Sequence, residues 1–391
     1  MSDGPRRIMI SAGELSGDMH AAAVIEAAKS RGLGLEFFGL GGDNMAAAGA
    51  DLREHLRETA VMGLTEVLGS LGRVLKIRGR LCAMIADERP DAVVLIDSPD
   101  LNRALAKAAF KAGVPVVYYV CPQVWAWRPG RVRWLGRLVA RRCVIFEFEE
   151  EFFRSRGLSA DWVGHPLFDE LPLGMTGAEA RQNLGLDPDA PVLALFPGSR
   201  AKVLARLARP MLGAAALLVD ALPGLRVVVA RAPTVSPEKM DDYLRDVPRK
   251  LQSALTVAPA RAHEVLLSAT AALLASGTST AEGAILGTPM VVTYRVSALS
   301  WFLARRLVKV PFVSVANLAA GREVVPELLQ DAGTPENMAA ALRLLLADGP
   351  ARRGMVSGLR EARAKLGSPG AAGRVLDVIL QAAGSPRARA N

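Results

Sequence analysis

Short apolar runs alternate with stretches of helical spacing through the first half of the chain. Five of these runs are typical of strands, namely Arg7–Ala12, Glu36–Leu40, Ala92–Asp97, Val114–Val120 and Cys143–Phe148. Helix-like stretches such as His20–Ser30 and Leu101–Ala112 lie between them. Because most of the runs are continuously apolar, as strands buried on both faces are, the pattern predicts βαβ units around a parallel sheet.

The alternation stops at a segment rich in proline and glycine, Trp162–Ala190, which we expect to be a linker. It resumes with four further strand-like runs, Pro191–Phe196, Arg226–Arg231, Ala271–Ala275 and Met290–Thr293. Beyond Thr334 the spacing is helical, in the stretches Glu336–Leu346, Ala351–Leu366 and Gly373–Ala383. We therefore predict an α/β protein with two doubly wound, Rossmann-like halves that face a cleft.

Composition narrows the classes of protein that this pattern fits. A chain of 391 residues suits two domains, and three cysteines are too few for a disulfide framework or a zinc site. The start of the chain does not read as a signal peptide, and no apolar stretch is long enough to span a membrane, so we expect a cytoplasmic protein. The net charge of +9 favours an anionic partner, although scattered surface arginines would give the same total.

Polar turns follow four of the predicted strands, where open α/β sheets bind ligands. The first turn, SAGELSGDMHAA at residues 11–22, lacks the glycine spacing of a dinucleotide-binding site. Its polar residues Glu14, Ser16 and Asp18 suit sugar hydroxyls, or they cap the helix that follows.

The second turn, VVLIDSPDLN at residues 93–102, places a carboxylate directly after a buried strand. Burial raises the pKa of such a carboxylate, which makes Asp97 the candidate general base. Asp100 looks like a helix cap. The spacing of the two acids also fits a metal site, but no histidine or further acid joins them.

The third turn, Pro197–Arg200, offers backbone amides and a guanidinium at a strand–turn–helix junction. Gly198, Ser199 and Arg200 there would bind a phosphate, and a plain salt bridge of the arginine is the alternative. The fourth turn supplies amides and hydroxyls from Gly277, Thr278 and Ser279. Glu282 lies one helical turn further on and would bind ribose hydroxyls, or it forms a capping box with Ser279.

Together these features describe a nucleotide-sugar transferase of the two-lobed GT-B type, and the chain contains no Walker A sequence. Motifs spread over almost the whole chain resemble the lipid-A-disaccharide synthase family, glycosyltransferase family 19. They are GELSGD (13–18), AVMGLTEVLG (60–69), IDSPDLN (96–102), VWAWRPGRV (124–132), VGHPL (163–167), PGSR (197–200), SGTSTAEGAILGTPMVVTYR (276–295) and VSVANLAAGREVVPELLQ (313–330).

The resemblance implies an inverting transfer without metal or cofactor, from UDP-2,3-diacylglucosamine to 2,3-diacylglucosamine 1-phosphate. Asp97 would be the base and Arg200 would neutralise the departing diphosphate. The remaining expected ligands are Glu14, Ser16 and Asp18 for the acceptor, and Gly198, Ser199, Gly277, Thr278, Ser279, Glu282, Asn317, Arg322 and Glu323 for the donor.

The resemblance also implies an organisation and partners. Residues 1–168, joined by a C-terminal helix at about 368–385, would bind the acceptor, and residues 186–366 would bind the UDP-sugar. A homodimer on the cytoplasmic face of the inner membrane is expected, with no nucleic acid bound. The basic, apolar segments 61–85 and 301–312 would contact the membrane or, alternatively, are core helices.

Three positions depart from the family pattern. Gln123 stands where the family usually has serine before VWAW, Glu147 where it has proline, and Val203 where it has glutamate. The nearest competing interpretation is another GT-B enzyme that uses UDP-N-acetylglucosamine. A basic, non-catalytic binding protein is a more distant one.

Overall fold

The computed structural model describes residues 6–59, 67–127, 129–307 and 310–384. Within them the chain forms two compact α/β units. One unit contains the described residues up to Asp169 together with those from Gly367 onward, and the other is Glu170–Leu366. Residues 60–66 of the first basic, apolar segment and residues 308–309 of the second lie outside the described part of the chain.

The first unit is built on a parallel sheet of seven strands in the order β3-β2-β1-β4-β5-β6-β7. The strands are β1 (Arg6–Ala12), β2 (Leu35–Gly41), β3 (Asp51–His55), β4 (Ala92–Ile96), β5 (Val116–Tyr119), β6 (Arg141–Val144) and β7 (Asp161–Trp162). The helices are α1 (Leu15–Ser30), α2 (Asp43–Ala47), α3 (Leu56–Thr59), α4 (Val67–Glu88), α5 (Pro99–Ala112), α6 (Arg131–Leu138), α7 (Glu147–Arg154) and α8 (Leu167–Glu170).

The second unit repeats the plan with six parallel strands in the order β10-β9-β8-β11-β12-β13. The strands are β8 (Val192–Phe196), β9 (Arg226–Arg231), β10 (Leu255–Pro259), β11 (Ala271–Ala275), β12 (Met290–Tyr294) and β13 (Glu327–Leu329). The helices are α9 (Gly177–Asn183), α10 (Ala201–Ala221), α11 (Pro237–Leu244), α12 (Arg249–Ala254), α13 (Ala262–Ser268), α14 (Thr278–Leu286), α15 (Ala298–Leu307), α16 (Val315–Ala320), α17 (Pro335–Leu346) and α18 (Pro350–Leu366), with a 3₁₀ turn at Gln330–Ala332.

The last described helix, α19 (Ala371–Gly384), belongs to the first unit although it follows the second in sequence. Its apolar face is buried, with Val375, Leu376 and Ile379 fully enclosed. The carboxylate of Asp169 accepts hydrogen bonds from the backbone N–H groups of Gly370 and Ala372 at the start of the helix. These contacts make α19 an integral layer of the first unit.

The segment Trp162–Ala190, which we expected to be a linker, contains the helices α8 and α9. Thr176 accepts a hydrogen bond from the backbone N–H of Glu179, and the Glu179 side chain accepts one from the backbone N–H of Thr176. This capping box starts α9 and was visible as T-x-x-E in the sequence. The boundary between the two units, at Asp169 and Glu170, also falls within the segment predicted to be a linker.

Both sheets reverse their strand order at one place, which is where open α/β sheets bind ligands. In the first unit the reversal lies between β1 and β4, whose last residues Ala12 and Ile96 are paired. In the second unit it lies between β8 and β11, where Phe196 is paired with Leu274. The four polar turns singled out in the sequence follow these four strands.

None of the described helices is both long enough and apolar enough to cross a membrane.

Candidate active site

Asp97 follows β4 directly, at the strand reversal of the first unit. Burial raises the pKa of its carboxyl group, and the negative charge of Glu14 raises it further. A hydrogen bond from the backbone of Ser98 and the charge of His20 oppose these effects. A half-buried carboxylate with a raised pKa has the properties of a general base.

The three polar residues of the first turn have different surroundings. Glu14 and Ser16 are exposed, and Glu14, although it occupies the N-cap position of α1, makes no side-chain capping bond. Asp18 is fully buried, and its two carboxylate oxygens accept hydrogen bonds from the backbone N–H groups of Gly42, Asn44 and Met45 and from the Asn44 side chain. This corrects the expectation for Asp18, because its carboxylate fixes the loop at the start of α2.

The metal alternative for Asp97 and Asp100 finds no support in the described residues. The carboxylate of Asp100 is paired with the Arg131 guanidinium, Oδ1 to Nη2 at 2.7 Å. Among the residues that the structure describes, no three histidine, cysteine or acidic side chains are grouped so that they could hold a metal ion.

The aromatic residues of the VWAW motif divide into one packing residue and one exposed residue. The Trp125 ring lies edge-on to Phe148 at 4.8 Å, and its Nε1–H donates to Glu149. Burial raises the pKa of Glu149 to about 7, although its carboxylate also accepts hydrogen bonds from the backbone of Phe146 and Ile145. Trp127 is 43 % exposed. Trp125 is therefore a packing residue.

A pocket in the second unit collects the turns that follow β8, β9, β10 and β11. Its polar or functionally relevant lining residues are Gly198, Ser199, Arg200, Val203, Arg231, Gly277, Thr278, Ser279, Glu282 and Tyr294. The pocket therefore brings together all seven residues predicted from the third and fourth turns, Arg200 and Glu282 among them.

The third turn requires its glycine. Gly198 has a φ of 107°, and a Cβ atom there would lie 2.6 Å from Cγ1 of Val203. Val203 thus covers the turn with methyl groups. The Arg200 side chain is exposed, and among the described residues no carboxylate forms an ion pair with it. The salt-bridge alternative for Arg200 is not what the structure shows.

The fourth turn presents hydroxyl and amide groups at the start of α14. The capping-box alternative is wrong, because the N-cap position is Gly277 and Ser279 donates its hydroxyl to the carbonyl of Ala275. Glu282 faces His263, with Oε1 3.8 Å from Nε2, and this interaction raises the pKa of the His263 imidazole. Glu282 is therefore held at the pocket by a histidine that sequence reasoning missed.

Arg231 was also missed. It is the last residue of β9 and lines the pocket, and its Nη1 donates to the carbonyl of Val235 at 2.5 Å. The signal was present, since an arginine that ends an apolar run beside β8 lies at the ligand-binding edge of the sheet.

Three further residues expected to bind the donor do not line this pocket. Asn317 is fully buried, and its amide group binds the backbone of Val324 and Val325 and the carboxylate of Glu327. This corrects the expectation for Asn317, whose side chain fixes its own loop. Arg322 is exposed and paired with Glu361 at 2.5 Å, and Glu323 is exposed.

Two parallel sheets, each with polar turns at its strand reversal, form the architecture of the GT-B fold class. The fold is similar to that of a putative UDP-N-acetylglucosamine 2-epimerase from Listeria monocytogenes (TM-score 0.67, 15% identity, 96% of each chain covered). It is also similar to that of the calicheamicin glycosyltransferase CalG4 (TM-score 0.60, 18% identity, 97% of this chain and 98% of that chain). The predicted α/β fold of two Rossmann-like halves is confirmed.

The sequence comparisons identify the family. The family model for lipid-A-disaccharide synthetase matches residues 8–367. A lipid-A-disaccharide synthase from Myxococcus xanthus is 45% identical over 379 residues, which cover 96% of this chain and 97% of the relative. One from Geobacter metallireducens is 40% identical over 384 residues, with 98% of both chains covered. The chain belongs to the lipid-A-disaccharide synthetase family, as its motifs indicated.

Proposed function

We propose that this protein transfers the sugar of UDP-2,3-diacylglucosamine to the 6-hydroxyl of 2,3-diacylglucosamine 1-phosphate, with inversion at the anomeric carbon. The bond from acceptor O6 to the donor anomeric carbon forms as the bond from that carbon to the diphosphate breaks. The proton of the 6-hydroxyl passes to a carboxylate. The products are the β-1,6-linked disaccharide 1-phosphate and UDP.

The pocket of the second unit is the observation that carries this proposal. It combines two guanidinium groups, the amides and hydroxyls of two helix-starting turns, and one carboxylate. Arg200, Arg231 and the amides of the Ser199 and Thr278 turns suit the departing diphosphate. Glu282 suits the two ribose hydroxyls. The whole set matches the anionic and sugar parts of UDP.

The first unit supplies the complementary chemistry. In this proposal Asp97 accepts the proton of the acceptor hydroxyl, and its raised pKa gives it the proton affinity that a base needs. Glu14 and Ser16 are exposed on the turn that follows β1, the strand next to β4. There they would bind hydroxyl groups of the acceptor. No cofactor takes part in any step.

The two substrates carry acyl chains, and the protein presents apolar side chains among basic ones. Leu75 of α4 is 43% exposed between Arg73 and Lys76. Phe302 of α15 is 50% exposed, and the Arg306 guanidinium lies 3.9 Å from the centre of its ring. This pattern supports peripheral binding to the cytoplasmic face of the inner membrane.

We propose a homodimer as the working assembly.

A substrate comparison tests the proposed function. UDP release is measured with UDP-2,3-diacylglucosamine and with UDP-N-acetylglucosamine, each in the presence of 2,3-diacylglucosamine 1-phosphate. We expect UDP release only with the acylated donor. Mass spectrometry should then detect the disaccharide 1-phosphate in that reaction. Turnover of only the unacylated donor would instead identify a diverged GT-B enzyme.

A further inference from the structure

The turn that carries Asp97 has an unusual backbone. Asp97 and Ser98 are consecutive residues with positive φ, 45° and 37°, and neither is glycine. Residues with a Cβ atom rarely adopt this left-handed conformation, and two in succession are unfavourable. Only these two residues connect the end of β4 at Ile96 to the start of α5 at Pro99. Surrounding groups must therefore hold this conformation.

One buried side chain makes most of these holding contacts. Asn102 is fully enclosed, and its Nδ2 group donates to the carbonyl of Ile96 at 3.1 Å and to that of Asp97 at 2.8 Å. Its Oδ1 accepts a hydrogen bond of 3.0 Å from the Ser11 hydroxyl. The hydroxyl of Tyr118, a fully buried residue of β5, also donates to the Asp97 carbonyl.

The turn that follows β1 packs against the turn that carries Asp97. A Cβ atom at Gly13 would lie 2.3 Å from the Ser98 hydroxyl oxygen, so the two turns are in direct contact. Glu14 follows Gly13, and its charge acts on Asp97. The backbone of the Asp97 turn is thus fixed by β1, β5 and α5 together.

We propose that Asn102 is a positioning residue of the transferase. Its two donor contacts hold the left-handed turn and so direct the Asp97 carboxylate toward the hydroxyl that it deprotonates. Tyr118 supports the same carbonyl. This inference rests on the proposed role of Asp97 as the base.

The first test replaces Asn102 by aspartate. Asn102→Asp keeps an acceptor for the Ser11 hydroxyl and removes both donors to the turn. We expect kcat to fall about 100-fold, the loss typical of a misplaced reacting group. KM for the donor and Kd for UDP should stay within about twofold, since the proposed UDP ligands all belong to the second unit.

Tyr118→Phe is the milder variant and guards against misfolding of the first. It removes one donor to the Asp97 carbonyl, and we expect kcat to fall about tenfold with the same KM and Kd. Val93→Ala is the control. It truncates a fully buried residue of β4, the strand that leads to the turn, and should lower Tm while kcat measured below the transition stays at the wild-type value.

A rescue experiment separates positioning from general support of the core. Glycine adopts positive φ without strain, so Ser98→Gly should return at least about threefold in kcat to Asn102→Asp. Wild-type kcat in both Asn102→Asp and Tyr118→Phe overturns the inference, as does a loss that Ser98→Gly leaves unchanged. Loss of activity in Asp97→Asn with full activity in Asn102→Asp would overturn the positioning role alone. Full activity in Asp97→Asn would remove the proposed base as well.

Discussion

The two strand reversals use one fold for opposite chemistry. In the first unit the turn after β4 is enclosed, strained and negatively charged, with Asp97 and Glu14 on adjacent turns. In the second unit the corresponding turns after β8 and β11 are open, and they present Arg200, amides and hydroxyls. The comparison indicates that a parallel α/β sheet fixes where the polar turns lie, whereas the turn sequences decide whether they present carboxylates or a guanidinium with amides and hydroxyls.

Removing the carboxylate of the first unit should have the largest effect. Asp97→Asn keeps the size of the side chain but cannot take a proton, so we expect kcat to fall about 10²- to 10⁴-fold. UDP binding, measured by calorimetry, should be unchanged. A parallel fall in UDP affinity and kcat would contradict the separation of roles between the two units.

The matching change in the second unit is Arg200→Ala. Since the guanidinium would stabilise charge on the departing diphosphate, we expect kcat/KM for the donor to fall about 10²-fold. Arg209→Ala is the control, because this arginine lies on α10, the helix that begins directly after Arg200, and its ion pair with Asp246 at 3.8 Å is exposed. Equal losses in the two variants would point to disruption of the helix rather than to a lost phosphate contact.

Arg231 extends the comparison to a residue that the motifs did not mark. Arg231→Gln removes the charge and, because glutamine is shorter, also the bond from Nη1 to the carbonyl of Val235. Loss of one charge-assisted contact should weaken UDP binding about tenfold. Calorimetric titration with UDP measures this directly, and an unchanged Kd would exclude Arg231 from the donor site.

Val203→Glu makes the second unit more like its family. The valine methyl groups now cover the Gly198 turn, and a glutamate there would place a carboxylate close to Arg200. A restrained guanidinium loses less freedom when it binds, so the donor KM should fall by about two- to fivefold. Steady-state kinetics check this, and an unchanged KM and kcat would mean that the acid is dispensable.

The smallest effect is a shift of a pH profile. Glu14 raises the pKa of Asp97, so Glu14→Gln should lower it and move the acid limb of kcat/KM to lower pH. His20 lowers the pKa of Asp97, so His20→Gln should move the same limb to higher pH. Shifts in one direction for both variants would show that the limb does not report Asp97.

The sequence predicted the interior of each sheet and missed its edges. All nine predicted strands correspond to interior strands, recognised as apolar runs, although Cys143–Phe148 shares only Cys143 and Val144 with β6 and extends into α7. The four edge strands, β3, β7, β10 and β13, were missed. They are short or rich in polar residues, because an edge strand is only partly covered.

Two residues predicted to bind substrate instead bind backbone groups of the protein. Asp18 and Asn317 lie within family motifs and carry polar groups, yet both are fully buried and bind backbone N–H groups. Sequence spacing places a residue on a turn but does not say whether its side chain points outward or back into the chain. Arg231 is the opposite case, a pocket residue that the motifs did not mark. It lines the pocket because β9 is the neighbour of β8, and this strand order is not evident from the sequence.

The position of α19 has a consequence for synthesis of the protein on the ribosome. The second unit is inserted between α8 and α19, so all of its residues are made before the final layer of the first unit exists. Domains can fold as they emerge, which allows the inserted unit to finish first. The first unit cannot complete its fold until α19 has been synthesised. Until then, the surface that packs against Val375, Leu376 and Ile379 stays exposed. A message truncated before α19 would therefore yield a folded second unit attached to an incomplete first unit.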